Sequence, residues 1–225
     1  MSTDNIERER KYIVEDETIF KNLMAYLFKN KDKYKVNQYG SYNLMDFYFD
    51  TPDLKLFNNN VTFRVRSKNG ETREINIKKD TLSKQDDRIE ETIKLNKEFY
   101  LSNFEYIEDD KMLYKIFKDL DILNDEDIPS IVNTMAIINL RKKRKVMVKE
   151  SNTSFEILSD YVRYQNRMNR QFHEERQIEI ELDKGDYDSN VFEKFIEVIE
   201  KEFDLKDKYS SQSKYERALI HTDTI

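Results

Sequence analysis

The chain contains no cysteine and no tryptophan, and only three glycines and two prolines among its 225 residues. Without cysteine, neither a disulfide framework nor a thiolate metal site can form. Three glycines leave no Gly-rich phosphate loop of the Walker or dinucleotide type, so any phosphate binding falls to side chains. No apolar run approaches the ~20 residues of a helical membrane span. The N-terminus is charged where a signal peptide would carry an apolar core. An excess of positive charge is missing too. The formal charge of -6 argues against a dedicated duplex-DNA binder, whose footprint is usually basic. The expectation is a cytoplasmic protein with no membrane partner.

What is present is charge of both signs, with enough Phe and Tyr (14 of each) to build a core. The chain does not have the composition of a disordered segment. Strand patterns dominate. A first strand is expected over 4–14 and a long extended stretch over 34–50, ending YNLMDFYFDT. Thr51-Pro52-Asp53 is a turn signal. Residues 61–79 read as a hairpin about Asn69-Gly70, a strong two-residue turn. Alternation resumes over 86–95, 132–148, 153–164 and 172–182.

Helical spacing occurs over 16–29, where Ile19, Leu23, Tyr26 and Leu27 share a face, and over 188–203, with Val191, Phe192, Phe195, Ile199 and Phe203. One or two helices are expected over 97–120, with Phe99, Phe104, Leu113, Phe117 and Leu120 as core positions, and a short last helix over 213–221. No internal repeat or linker divides the chain, so residues 1–225 are expected to form one domain.

The charged residues follow a pattern. IERERKYIV places Glu7, Glu9 and Lys11 on one strand face, because every second side chain points the same way. Two carboxylates so close repel unless a cation sits between them, and hard oxygen donors suit Mg²⁺ or Mn²⁺. The hairpin offers Arg64 and Arg66, then Asn76 and Lys78. Later strands offer Arg88 and Glu90, Lys142 and Arg144, and Glu179 and Glu181. Apolar residues alternate with them: Phe63 and Val65, Ile75 and Ile77, Ile178 and Ile180.

A half-buried sheet puts its apolar face on the core. A polar face recurring on nearly every strand, with amphipathic helices to be covered, fits a closed barrel whose outside packs on helices and whose inside is a charged, water-filled tunnel. An open sheet with solvated charged faces is the other solution. In a tunnel, acidic rows suit a metal and Arg/Lys rows a polyphosphate anion.

The E-x-E-x-K start, YFDTPD, FRVR, INIKK, the KxR pair and the late E-x-E resemble the CYTH superfamily, also called triphosphate tunnel metalloenzymes. The resemblance runs from Glu7 to about Tyr215. It implies an α+β, mainly β fold: a closed eight-stranded antiparallel β-barrel with helices packed outside. It also implies a hydrolase of triphosphate-containing substrates, inorganic triphosphate or nucleoside triphosphate, with Mg²⁺ or Mn²⁺ as cofactor. Carried over, Glu7, Glu9, Glu179 and Glu181 hold metal. Lys11, Arg64, Arg66, Lys78, Arg88, Lys142 and Arg144 bind phosphate oxygens. Lys11, Glu90 and Glu181 are the catalytic candidates.

Two departures stand out. Thr92 replaces a further alternate glutamate after Glu90. In the basic strand the opposite register, with Arg141, Lys143 and Lys145 inward, stays open. SKYERAL also resembles polyphosphate polymerase domains. A class IV-type adenylate cyclase, an RNA 5′-triphosphatase acting on an RNA 5′ end and a polyphosphate polymerase are the other activities that the resemblance allows. A homodimer is compatible with it. A non-catalytic polyphosphate or nucleotide sensor and a plain interaction protein are the readings from other classes. His173 and His221 do not make a metal pair by spacing, and His173 is expected to be structural or solvent-exposed.

Overall fold

The computed structural model describes residues 6–80, 87–94, 111–119, 122–185 and 190–225. Eight strands form one antiparallel sheet: β1 (Ile6–Val14), β2 (Tyr34–Asp50), β3 (Val61–Lys68), β4 (Glu71–Asp80), β5 (Asp87–Lys94), β6 (Val132–Val148), β7 (Thr153–Asn166) and β8 (Phe172–Lys184). Helices α1 (Thr18–Lys29), α2 (Lys55–Asn58), α3 (Lys111–Asp119), α4 (Val191–Phe203) and α5 (Lys214–His221), with 3-10 turns at Ile128–Ser130 and Lys206–Lys208, complete the described elements. Of the helical signal over 97–120, Lys111–Asp119 is described, and Phe117 is fully buried. Phe99, Phe104 and Leu120 lie outside the described residues, as does the side chain of Leu113. So do the side chains of Glu7, Arg88 and Glu90.

Turn chemistry sets the register of the first hairpin. Asn69 and Gly70 both adopt positive φ, 53° and 87°, as a two-residue turn matched to strand twist requires. The YFDTPD segment has a structural role. The buried Asp50 carboxylate accepts from the N–H groups of Thr51, Leu56 and Phe57 at 2.8–3.0 Å, which fixes the start of α2.

Alternation sorts the side chains into two faces. The convex face is apolar and carries helices in two places. Tyr12, Val146, Phe155, Ile157, Ile178 and Ile180 meet Phe20, Leu23 and Leu27 of α1 and Phe192, Phe195 and Ile199 of α4. Phe49, Phe63, Val65, Ile75 and Ile77 meet Phe117 of α3. Each such residue loses most of its water contact, a gain of roughly 1.5–3 kcal/mol apiece. The concave face collects the charges.

The strands close into a barrel in the order β1-β5-β4-β3-β2-β6-β7-β8, and the closure is made at β1. Ile6, Glu7 and Arg8 pair with Ile89, Arg88 and Asp87 of β5. Glu9 through Val14 pair with Glu181 through Arg176 of β8. Beyond the β5 ladder, Tyr12 also bridges Tyr209 on the side away from β8. β1 therefore gives its first residues to the ladder with β5 and the rest to the ladder with β8. Nine residues span roughly 30 Å and are shared between two partners, whereas β2 and β6, with 17 residues each, pair along almost their whole length. The barrel therefore closes at β1 through two short ladders.

A correction concerns the tunnel. One end of the concave face is apolar: Tyr48, Met135, Ile137, Val162 and Tyr164 pack on Tyr215, Ala218 and Leu219 of α5. Tyr215 stacks on Tyr48 with ring centroids 4.8 Å apart, and its hydroxyl meets Thr134 Oγ1 at 2.8 Å. The last helix is thus a stopper, and the charged space is a cup.

Candidate active site

The floor and walls of the cup are built from side chains two residues apart on neighbouring strands. Glu9, Lys11, Arg64, Arg66, Lys78, Arg141, Glu179, Glu181 and Lys214 line a pocket of ≈ 490 Å³, counting the solvent at its mouth.

One wall is cationic and belongs to β2, β3 and β4. Asp46 is 1 % exposed and accepts two hydrogen bonds at 2.7 Å from Arg66 Nε and Nη2. Arg64 Nη1 approaches the same carboxylate at 3.5 Å. Burial pushes the Asp46 carboxyl upward, but the guanidiniums of Arg66 and Arg64 outweigh it and hold it at about 2. Arg64 Nε donates to Asn76 Oδ1 at 3.0 Å, and Asn76 donates in turn to Thr92 Oγ1 at 2.9 Å. The departure at Thr92 therefore has a role, which is to orient the amide that orients Arg64.

The opposite corner is acidic and comes from the β1–β8 register. Glu9 lies directly across from Glu181, and Lys11 across from Glu179. On its other side Glu181 faces Glu156 of β7. Like charges directly opposite destabilise a sheet unless cations offset them. Lys11 supplies one, with Nζ 3.7 Å from Glu9 and 3.5 Å from Glu179. Arg141 Nη2 meets Glu179 at 2.6 Å and Asp160 at 2.7 Å. Lys214 meets Glu179 at 2.5 Å and Asp160 at 3.2 Å.

Burial raises the Glu179 carboxyl, yet Lys214, Lys11 and Arg141 together drive it well below the usual carboxylate range. Burial opposes the charge on Lys214 as well, and Glu179 and Asp160 reverse that effect and hold its ammonium up. Ligand oxygens of Glu9, Glu179 and Glu181 all lie within 4.8 Å of one another. That hard-oxygen set fits Mg²⁺ or Mn²⁺.

Of the sequence-based candidates, Glu9, Lys11, Arg64, Arg66, Lys78, Glu179 and Glu181 come together in this pocket. Lys142 and Arg144 do not. Lys142 pairs with Glu17, and the Arg144 guanidinium covers the Tyr39 ring at 4.5 Å. Both lie on the outer side of β6, and Arg141 takes the inward place. A one-residue slip moves every side chain of a strand to the other face, and RKKRK has no apolar residue to mark which face is which. Lys214 was not among the expected site residues, and Arg141 belonged only to the alternative register of the basic strand. Nothing in the short last helix signals that its first residue enters the cup. The backbones of Glu7 and Arg88 face each other across β1 and β5, and that of Glu90 faces Lys78.

The sequence matches the CYTH domain family over residues 5–217. No curated protein matches it. Among solved structures, a candidate adenylate cyclase from Bacillus halodurans superposes with TM-score 0.57 at 19 % identity, over 94 % of this chain and 96 % of that one. HpAC1 of Hippeastrum, a candidate adenylyl cyclase with a dominant triphosphatase activity, gives TM-score 0.57 at 14 % identity, over 98 % and 96 %. PH1819 of Pyrococcus horikoshii gives 0.53 at 18 %, over 96 % and 99 %. At these identities the likeness is one of fold. No described helix is long and apolar enough to cross a membrane.

Proposed function

The chain belongs to the CYTH domain family, and from that premise we propose that it is a divalent-metal-dependent hydrolase of triphosphate-containing substrates, inorganic triphosphate or a nucleoside triphosphate. The observation that carries this reading is one pocket with a guanidinium wall facing a carboxylate corner. A linear triphosphate needs its charge neutralised along its length and a metal at the reacting phosphoryl group.

Arg64, Arg66 and Lys78 would take phosphate oxygens from one side. Lys11, Arg141 and Lys214 would take them from the other. Asp46 and Glu179 hold these cations in place before substrate arrives, which lowers the cost of ordering them. Glu9 and Glu181, opposite each other on β1 and β8, would hold the metal with Glu179 behind them. A bound Mg²⁺ or Mn²⁺ supplies charge stabilisation at the transferred phosphoryl group. Glu181 would accept the proton of the attacking water. Glu7, Arg88 and Glu90 are proposed to extend the acidic and basic rows.

A nucleoside has a place to go. A second chamber shares Arg66 and Arg141 with the pocket and adds Tyr42, Leu44, Lys68 and Glu74. HpAC1 supports the reading through its triphosphatase activity.

The test is phosphate release from inorganic triphosphate, ATP and a 5′-triphosphorylated RNA, with Mg²⁺ and with Mn²⁺. Glu9→Gln and Glu181→Gln should each lose on the order of 10²-fold or more in turnover with unchanged circular dichroism. Full activity of both variants at saturating metal would overturn the metal role. Tight triphosphate binding without any product would move the chain to the sensor class.

A further inference from the structure

The two histidines, 48 residues apart in sequence, meet in space at the outer end of the stopper. His173 opens β8 and His221 closes α5, and their rings stack with centroids 4.4 Å apart. Glu175, two residues on along β8, turns its Oε2 to within 3.7 Å of His173 Nε2. Ligand atoms of His173, Glu175 and His221 all lie within 4.8 Å of one another. We propose that these three side chains form a second metal site, selective for a borderline transition ion of the Zn²⁺, Ni²⁺ or Cu²⁺ kind, that clips the end of α5 to the sheet.

The donor set decides the class of ion. Two imidazole nitrogens and one carboxylate suit zinc, nickel and copper, while the all-carboxylate corner of the pocket suits Mg²⁺ and Mn²⁺. The geometry is near what a tetrahedral ion needs. Metal–nitrogen bonds of about 2.0–2.1 Å hold ligand atoms roughly 3.4 Å apart, so rotation of the stacked imidazoles about Cβ–Cγ brings their nitrogens together. His221 is exposed and His173 partly so, which gives an ion a path in and leaves a coordination position for water.

One cation stands beside the site. Arg217 holds Glu175 through Nε at 2.7 Å and through Nη2, and its Nη2 lies 3.1 Å from His221 Nε2. An arriving ion displaces that Nη2 contact. Arg217 keeps Glu175 Oε1 through Nε and Gln212 Oε1 through Nη1 at 3.0 Å. Glu175 Oε1 also keeps Tyr164 and Gln177 as donors, so Oε2 is the oxygen that turns to the metal. The same helix carries Lys214 at its other end in the pocket. The clip would therefore fix the element that presents Lys214, whatever substrate the pocket takes.

Copper provides the test, because the chain has only two histidines. One equivalent of Cu²⁺ is added to the tag-free protein in excess Mg²⁺, and its electron paramagnetic resonance spectrum is read for nitrogen couplings. Two imidazole couplings are expected in the wild type and in Glu9→Gln, one in His221→Gln and none in the double His173→Gln, His221→Gln variant. In parallel, Zn²⁺ should raise the melting temperature of the wild type and Glu9→Gln but not of His221→Gln. A single imidazole in the wild type, or couplings that survive in the double variant, would overturn the site. So would a Zn²⁺ shift that follows Glu9 instead of His221. Glu9→Gln separates failure of this proposal from failure of the pocket's assignment.

Discussion

Asp46 holds two arginines that a polyanion would otherwise claim, and its lowered pKa sets the scale of what that pairing contributes. Its folded value of about 2 lies below the ordinary 3.8. A carboxylate with a depressed value contributes stability above its unfolded value and loses it as pH falls through the folded one. The window is therefore pH 4 down to 2, and the contribution at neutral pH is about 2 kcal/mol. Asp46→Asn should be at least that much less stable in urea unfolding at pH 7, with the gap narrowing toward pH 2. A bound triphosphate returns an anion to Arg64 and Arg66, so it should raise the melting temperature of Asp46→Asn more than that of the wild type. Equal shifts would mean that the arginines do not meet the ligand.

At the scale of elements, legibility followed the presence of apolar markers. The β3–β4 hairpin shows Phe63, Val65, Ile75 and Ile77 between its charges, and its inward set, Arg64, Arg66, Asn76 and Lys78, is where alternation places it. α1 and α4 were equally visible, through Leu23 and Leu27 and through Phe192, Phe195 and Ile199. β6 was not, because five consecutive cations carry no face information, and only pairing with β2 and β7 sets them. The stopper was hidden for another reason. Tyr215, Ala218 and Leu219 give an amphipathic helix, but nothing in that pattern says which face of the sheet receives it. The register of β6 makes a direct prediction. Arg141→Gln should cost on the order of 10²-fold in kcat/KM for the triphosphate substrate, since it removes a charge-assisted donor from the pocket. Lys142→Gln should stay within about twofold. The reverse ranking would restore the register with Lys142 and Arg144 inward.

For the whole molecule, the seam and the site coincide. β1 leaves β5 after Arg8 and joins β8 at Glu9, so the carboxylate nearest the partner change is also one of the three that converge in the pocket. Cations from β3, β4, β6 and α5 converge on the same space. A metal–triphosphate complex held between Glu9, Glu181 and Arg64 would reinforce the closure that β1 makes through two short ladders. Ligands that bind only the native arrangement stabilise it in proportion to their occupancy, and the gain should fall where local opening is easiest. Amide exchange in the peptide covering β1 should therefore slow markedly with Mg²⁺ and a non-hydrolysable imidotriphosphate, while β6 and β7, already paired along their length, change little. In Glu9→Gln the slowing at β1 should vanish even at ligand concentrations that saturate the arginines. Protection of β1 that is unchanged on saturation of the wild type would show that the seam is already tight, and that the carboxylate corner does not bridge it.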